Sequence, residues 1–349
     1  AAMLDAPDHY RFGIEGTPAE VSMYEALLAA GGFHRKRDGQ YAFGEPYEQW
    51  QPVWQAITSF LASTHTGRRP IIDLYAELKR APFGLREGPL PVVFSAMLLT
   101  YRDDLALYEG GAFVPELRIE VFERLTRQPA AFEVQHYDLS AQDRTVFSAV
   151  GEVIAGIAAP QRVDEAPLLS LVRPLVLFAT RLPTYTKHTR RLSAATLAVR
   201  DVLLQARDPY RLLFTDLPNA LGVNPEDSAV TQKLSLALSA AMHELQRAYP
   251  DLLDQIEEQV RLAFGLYGTY EEAREQLRGR AVPLLAHVAD KALLVFTRAV
   301  AHTDDRDWRE TLGRVIQGGN PTIQWRDVDA VGFQFQLQQL KSDFMRVEE

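Results

Sequence analysis

The sequence predicts a mainly α protein, with a winged-helix-like α+β front half followed by an irregular helical bundle. Three observations lead there. Between Pro70 and Leu117 the pattern runs helix, Pro-Gly loop, apolar helix and then a short β-hairpin turning at Gly110-Gly111, the outline of a winged helix. Beyond residue 165, apolar residues recur at helical spacing and strand signals nearly vanish. Hydrophobic residues make up 47% of the chain and charged ones 24%, which is globular composition and not that of a disordered segment. A chain of 349 residues can hold two or three domains with real cores. The pattern divides into 1–65, a helix plus wing-like hairpin; 66–158, the winged-helix-like domain; and 159–349, all helical.

Residues 1–20 are rich in proline, glycine and acid and read as an irregular lead-in. Met23, Tyr24, Leu27 and Leu28 predict a helix over 21–30, stopped by Gly31-Gly32. Asp38-Gly39, between alternating residues, is a strong hairpin signal. Residues 46–63 form a helix with Trp50, Trp54, Ile57 and Leu61 on one face, a core pattern. Helix plus hairpin therefore occurs twice in the first third of the chain, a weak similarity and not a repeat array. In the second copy, Pro89 opens a helix to Tyr101 that is apolar nearly all round. Reading DNA needs a polar, donor-rich face, and this helix offers only Ser95, Thr100 and the following Arg102. A helix hydrophobic on every side is buried, so this one is expected to pack against protein.

Ile119–Arg127 reads as a helix, Ala131–Leu139 as a strand and Ser140–Ile157 as a helix, with a linker at 158–165. Helices are then predicted over Pro167–Thr180, Ser193–Ala206 with a serine N-cap, and Pro209–Leu221, broken at Pro218. The remainder are Asn224–Tyr249, opening with the cap-like NPED, Asp251–Tyr267, Thr269–Gly279, Val282–His302, Arg306–Ile316 and Trp325–Val347.

Much chemistry is excluded. Without cysteine there is no disulfide, thiolate catalysis or cysteine-ligated zinc, which suits a reducing compartment. No lysine follows a glycine, so the chain carries no Walker-type phosphate loop, and dinucleotide and serine-elbow motifs are also missing. No cofactor is expected. A net charge of −9 argues against non-specific coating of nucleic acid. No apolar run reaches the roughly 18–20 residues of a membrane helix, and the start has no signal-peptide pattern. A cytoplasmic protein with no membrane partner is the expectation. His302, Asp304, Asp305 and Asp307 could hold a hard cation, yet the same letters read as a helix end, a loop and an acidic N-cap. His243-Glu244 reads as a solvated or i,i+4-paired helix face.

Two basic clusters stand out. Arg35, Lys36 and Arg37, beside His34, occupy the first wing and could touch phosphates, against the simpler reading of a solvated hairpin tip. From Arg181 to Arg191 the chain carries Arg181, Tyr185, Lys187, His188, Arg190 and Arg191 with no acid, ahead of a helix bearing Arg200 and Arg207. Cations with an aromatic in a loop suit phosphate or an acidic protein partner. Cations at a helix N-terminus also oppose the macrodipole, so something must compensate them.

FGIEG at 12–16, MYEALLAAGGFHR at 23–35, the stretch from Leu74 to Leu117, DPYRLLFTDLPNALG at 208–222 and WRDVDAVGFQFQLQQL at 325–340 together span most of the chain. These phrases resemble the C-terminal portions of large bacterial P-loop ATPases from phage-defence and restriction-type clusters, in the manner of the BREX ATPases. The resemblance implies a non-catalytic region downstream of an AAA+ or related ATPase core. Its winged-helix-like units would pack on that core, and its helical half would bind DNA or protein partners of a defence complex. The family's nucleotide-binding motifs are absent, so no catalytic residue carries over. The chain opens without an initiating Met, which suggests a fragment. DNA binding is expected to be sequence-tolerant and salt-sensitive. The alternatives are a stand-alone winged-helix DNA-binding protein and a metal-dependent nuclease centred on Asp304, Asp305 and Asp307.

Overall fold

The computed structural model describes residues 2–37, 39–137, 168–224, 229–302 and 307–349, together with 146, 147, 149–151 and 153. It is mainly helical with a small antiparallel sheet. Among the described residues, no helix is long and apolar enough to cross a membrane. The chain forms two compact units, Ala1–Phe178 with Val202–Leu236, and Ala179–Asp201 with Ala237–Glu349. The division falls inside the helices Leu168–Arg181, Ala194–Leu204 and Val230–Phe264, so neither unit is one contiguous stretch. The pattern instead suggests three contiguous segments, with boundaries at 65/66 and 158/159. The linker expected at 158–165 lies outside the described residues.

In the first unit, the helix Ala19–Met23 widens into a π-helical run, Tyr24–Ala29. Strands β1 (His34–Arg37) and β2 (Gln40–Phe43) pair with Arg37 opposite Gln40, leaving a two-residue turn that ends at Gly39. A φ of +93° there suits glycine. The helix Gln51–Ala62 buries Val53, Trp54, Ile57, Phe60 and Leu61; of the expected face, Trp50 instead sits half-buried in the preceding 3-10 turn, Glu48–Trp50. Then follow β3 (Arg69–Pro70), the helices Ile71–Lys79 and Leu90–Thr100, β4 (Leu105–Glu109), β5 (Ala112–Phe113), the helix Ile119–Arg127 and β6 (Phe132–His136). The sheet order is β3-β6-β4-β5, antiparallel throughout. The β4–β5 turn is Gly110-Gly111, both with positive φ, as a tight two-residue hairpin requires.

Buried residues between Phe12 and Val134, drawn from every helix of this stretch longer than eight residues, share one hydrophobic cluster. The front half is therefore not split at residue 65, because the apolar face of Gln51–Ala62 joins the same core as Leu74, Phe94 and Leu107. The helix Leu90–Thr100 has no exposed position. Its two hydroxyls turn back onto the helix: Ser95 Oγ donates to the Pro91 carbonyl (2.6 Å) and Thr100 Oγ1 to that of Ala96 (2.8 Å).

The Pro209–Leu221 stretch is not broken at Pro218. A π-helical run, Leu212–Asp216, leads without a break into the turn Leu217–Ala220, which carries that proline at its second position. Proline lacks an N–H, and the chain meets it directly after a π-helical run, where the regular i−4 ladder is already interrupted. In the second unit the chain continues straight through Pro250, where two helices were expected. Leu245, Leu252, Ile256 and Val260 stay buried across it, and that shared stripe outweighs the roughly 3 kcal/mol an interior proline costs. The helix Tyr270–Leu284 begins at a Thr269/Glu272 capping box and runs past Gly279. A new helix, Lys291–Ala301, starts on the Asp290 cap, so the expected Val282–His302 helix is divided. Trp308–Ile316 and Asp327–Glu348 complete this unit, whose core joins Tyr185, Ile256, Phe296, Trp325 and Phe344.

Candidate functional site

The most organised polar site lies in the first unit, around residues the sequence reading did not single out. The Arg68 guanidinium lies 3.7 Å from the centroid of the Tyr108 ring and donates to the Gly111 carbonyl (3.0 Å) and the Asp208 carboxylate (3.0 Å). The other Asp208 oxygen caps the next helical turn, accepting from the Arg211 amide at 2.9 Å. The hydroxyls of Tyr108 and Tyr137 are 2.6 Å apart, and Tyr137 also donates to Asp208 (3.2 Å). Burial first, then Tyr108 and Asp208, push the Tyr137 phenol well above its ordinary range, so it stays protonated. Burial works against the charge on Arg68, but the hydrogen bond to Asp208 raises its pKa on balance. A cavity of about 1150 Å³ opens over this network, lined also by Gln135, Arg207, Tyr210 and Asp216. The only trace in the sequence is Asp208-Pro209, which reads as a helix cap. Nothing local reveals that strands β4 and β6 meet it.

The wing cations are partly committed. Arg35 sits 4.8 Å from the Tyr47 ring centroid, and Arg37 Nη2 donates to the Glu45 carbonyl (2.8 Å). Lys36 is exposed. Asp38 lies outside the described residues. His34 is buried: its Nε2–H donates to the Pro7 carbonyl (2.8 Å), which leaves Nδ1 to accept from the Tyr24 hydroxyl (2.9 Å). It is therefore no wing cation. Desolvation lowers its pKa from the ordinary 6.5. A depressed histidine pKa means the unfolded chain binds the proton more readily. Its contribution to stability is complete above about pH 6.5 and is lost as pH falls through the folded value. An NMR titration should place the His34 midpoint below 6.5, and a midpoint at or above that value would overturn the assignment of a neutral, buried ring.

In the second unit, the 181–191 segment is held rigidly. Tyr185 is a correction to the expected stacking aromatic: at 4% exposure it belongs to the core, because the short helix Thr184–His188 turns it inward. Lys187 Nζ donates to the Thr180 carbonyl at 2.5 Å. Asp327 accepts from Thr189 Oγ1 (2.6 Å) and the Arg190 amide (2.8 Å), with Arg191 Nε at 3.9 Å. Buried Arg200 ties down the Thr186 and Thr189 carbonyls. The cations opposing the helix dipole are offset by Glu244, which accepts from the Ser193 amide (2.8 Å), Ser193 Oγ (2.7 Å) and Thr196 Oγ1. Glu244 is thus a cross-helix cap and not part of a solvated face. Burial would raise its pKa, but the hydrogen bonds from Thr196 and Ser193 hold it below the usual range. Arg181, His188, Arg190 and Arg191 are exposed on this fixed backbone. The wing and the basic loop belong to different units.

Asp307 caps the helix Trp308–Ile316 through the Arg309 amide (2.9 Å) and pairs with the Arg309 side chain. Asp304 and Asp305 lie outside the described residues, and among those described no group of three or more His, Asp or Glu could hold a metal. On the last helix, Val328, Val331 and Phe335 form an exposed apolar stripe at helical spacing. Comparison with protein-family models, curated proteins and solved structures finds no match to this chain.

Proposed function

We propose that this chain is a non-catalytic interaction region of a defence-associated P-loop ATPase, with a winged-helix-like front half that packs on protein. The observation that carries this reading is the burial of Leu90–Thr100, the helix in the place of a DNA-reading helix. With its hydroxyls bonded to its own backbone and no side chain exposed, it offers nothing to base edges. The hairpin turn behind it is also engaged, since Gly111 accepts from Arg68. The exposed Val328, Val331 and Phe335 stripe suits a protein partner better than a phosphate backbone.

DNA contact, where it occurs, belongs to the basic loop, whose exposed Arg190 and Arg191 sit on a backbone pinned by Asp327. Binding there is sequence-tolerant and falls with salt, because only phosphates are addressed. Replacing Lys187, Arg190 and Arg191 together with alanine should weaken duplex binding and flatten the plot of log affinity against log salt by roughly 1–3 units. Fluorescence anisotropy across a salt series measures both, and unchanged affinity would make the loop purely structural. The ATPase assignment has its own test. The parent gene, read in frame upstream of Ala1, should carry a Gly-Lys-Ser/Thr segment after a predicted strand; a reading frame that starts at Met3 would sink that part of the proposal.

A further inference from the structure

We propose that the cavity over Tyr137 and Tyr210 binds a nucleoside phosphate, either a free nucleotide or a nucleotide within a single strand. The site lies on elements other than the wing and the basic loop, so the inference goes beyond the proposed function. Its volume of about 1150 Å³ slightly exceeds the roughly 300–1,000 Å³ of ordinary small-molecule sites. Its lining converges from distant parts of the chain: Arg68, the hairpin at Gly111, the end of β6, and residues 202–216.

Two features name the ligand chemistry. The first is aromatic. The Tyr137 and Tyr210 rings lie within 9° of parallel with centroids 6.0 Å apart, and Phe214 supports Tyr210 at 4.6 Å. Both tyrosines are partly buried and line the cavity, so the aromatic wall borders the space a planar base would occupy. The second is charge. The lining carries three arginines against two aspartates, on a chain whose net charge is −9. Both acids are already engaged, Asp208 with Arg68 and the Arg211 amide, Asp216 with the Arg211 guanidinium at 3.2 Å. Arg207 is exposed, and its side chain makes no ion pair among the described residues. An exposed guanidinium beside two aromatic rings is the pairing that phosphate plus base requires.

The test titrates the full chain, at low ionic strength, with a fluorescent AMP analogue and with a fluorescein-labelled oligothymidine. Saturable binding of the AMP analogue identifies a free nucleotide, and binding of the oligonucleotide alone identifies a strand; either supports the site when Arg207→Glu and Tyr210→Ala weaken it, and overturns it when neither variant does. Arg207→Glu and Tyr210→Ala should each weaken the bound probe by about tenfold or more. Arg207→Glu lies on the surface, and an unchanged circular dichroism melt would show that it folds. The proposal is overturned if neither probe binds. It is equally overturned if the oligonucleotide binds Arg207→Glu as well as the parent but fails on the Lys187, Arg190 and Arg191 triple alanine variant. That second result would leave strand binding to the basic loop and the proposed function intact.

Discussion

Replacing Phe94 with alanine is expected to lower the unfolding free energy by about 3–5 kcal/mol, the range for large aromatic truncation in a close-packed core. Phe94 is 1% exposed at the middle of Leu90–Thr100, with the Tyr75 ring meeting it edge-on at 6.0 Å. Neighbours on both sides, Val93 and Met97, are fully buried, so the surroundings have little freedom to close over the void. Urea denaturation reads the loss directly, as a lower midpoint at unchanged slope. A change under about 1 kcal/mol would mean that this helix is not core. Such a helix would be free to face a groove, and the stand-alone DNA-binding alternative would return.

Asp208→Ala should cost about 2–4 kcal/mol, less than for a fully buried pair because Arg68 and Asp208 each retain about a quarter of their exposure. The loss has three parts. Arg68 keeps its charge over the Tyr108 ring but loses its carboxylate partner, the Tyr137 hydroxyl loses an acceptor, and the Arg211 amide loses its cap. Removing both charges together should be milder than removing one, since it leaves no unpaired cation behind. In a thermal melt series, Arg68→Met combined with Asp208→Ala should therefore recover part of the deficit of Asp208→Ala alone. Strict additivity of the two would show that the pair does not interact in the folded chain.

Local patterns made several elements legible. Gly110-Gly111 and Asp38-Gly39 announced two-residue hairpins, and the register of both is as such turns require. Trp54, Ile57 and Leu61 announced a core face, and LPVVFSAMLLT announced a helix without a solvent side. Each of these depends on residues within one or two turns of each other. The prolines show the limit of such reading. Pro250 looks like a stop, yet the helix runs through it because buried residues on both sides share one stripe.

The candidate site was less legible than the fold. The acid-free run from Arg181 to Arg191 was visible as basic, but whether its members face solvent depended on Asp327, Glu244 and Arg200, far away in sequence or read as something else. Tyr185 and Tyr210 carry the same side chain in similar polar surroundings, and only packing put one in a core and left the other beside a cavity. The Arg68–Asp208 network was invisible, because neither residue carries a local sign of the other. Sequence by itself determined which segments coil, where tight turns fall and which residue types are missing, since backbone propensity, turn geometry and residue inventory are local properties. Tertiary structure alone decided which cations are engaged and which polar groups converge, because burial and pairing belong to residues that meet only when the chain folds.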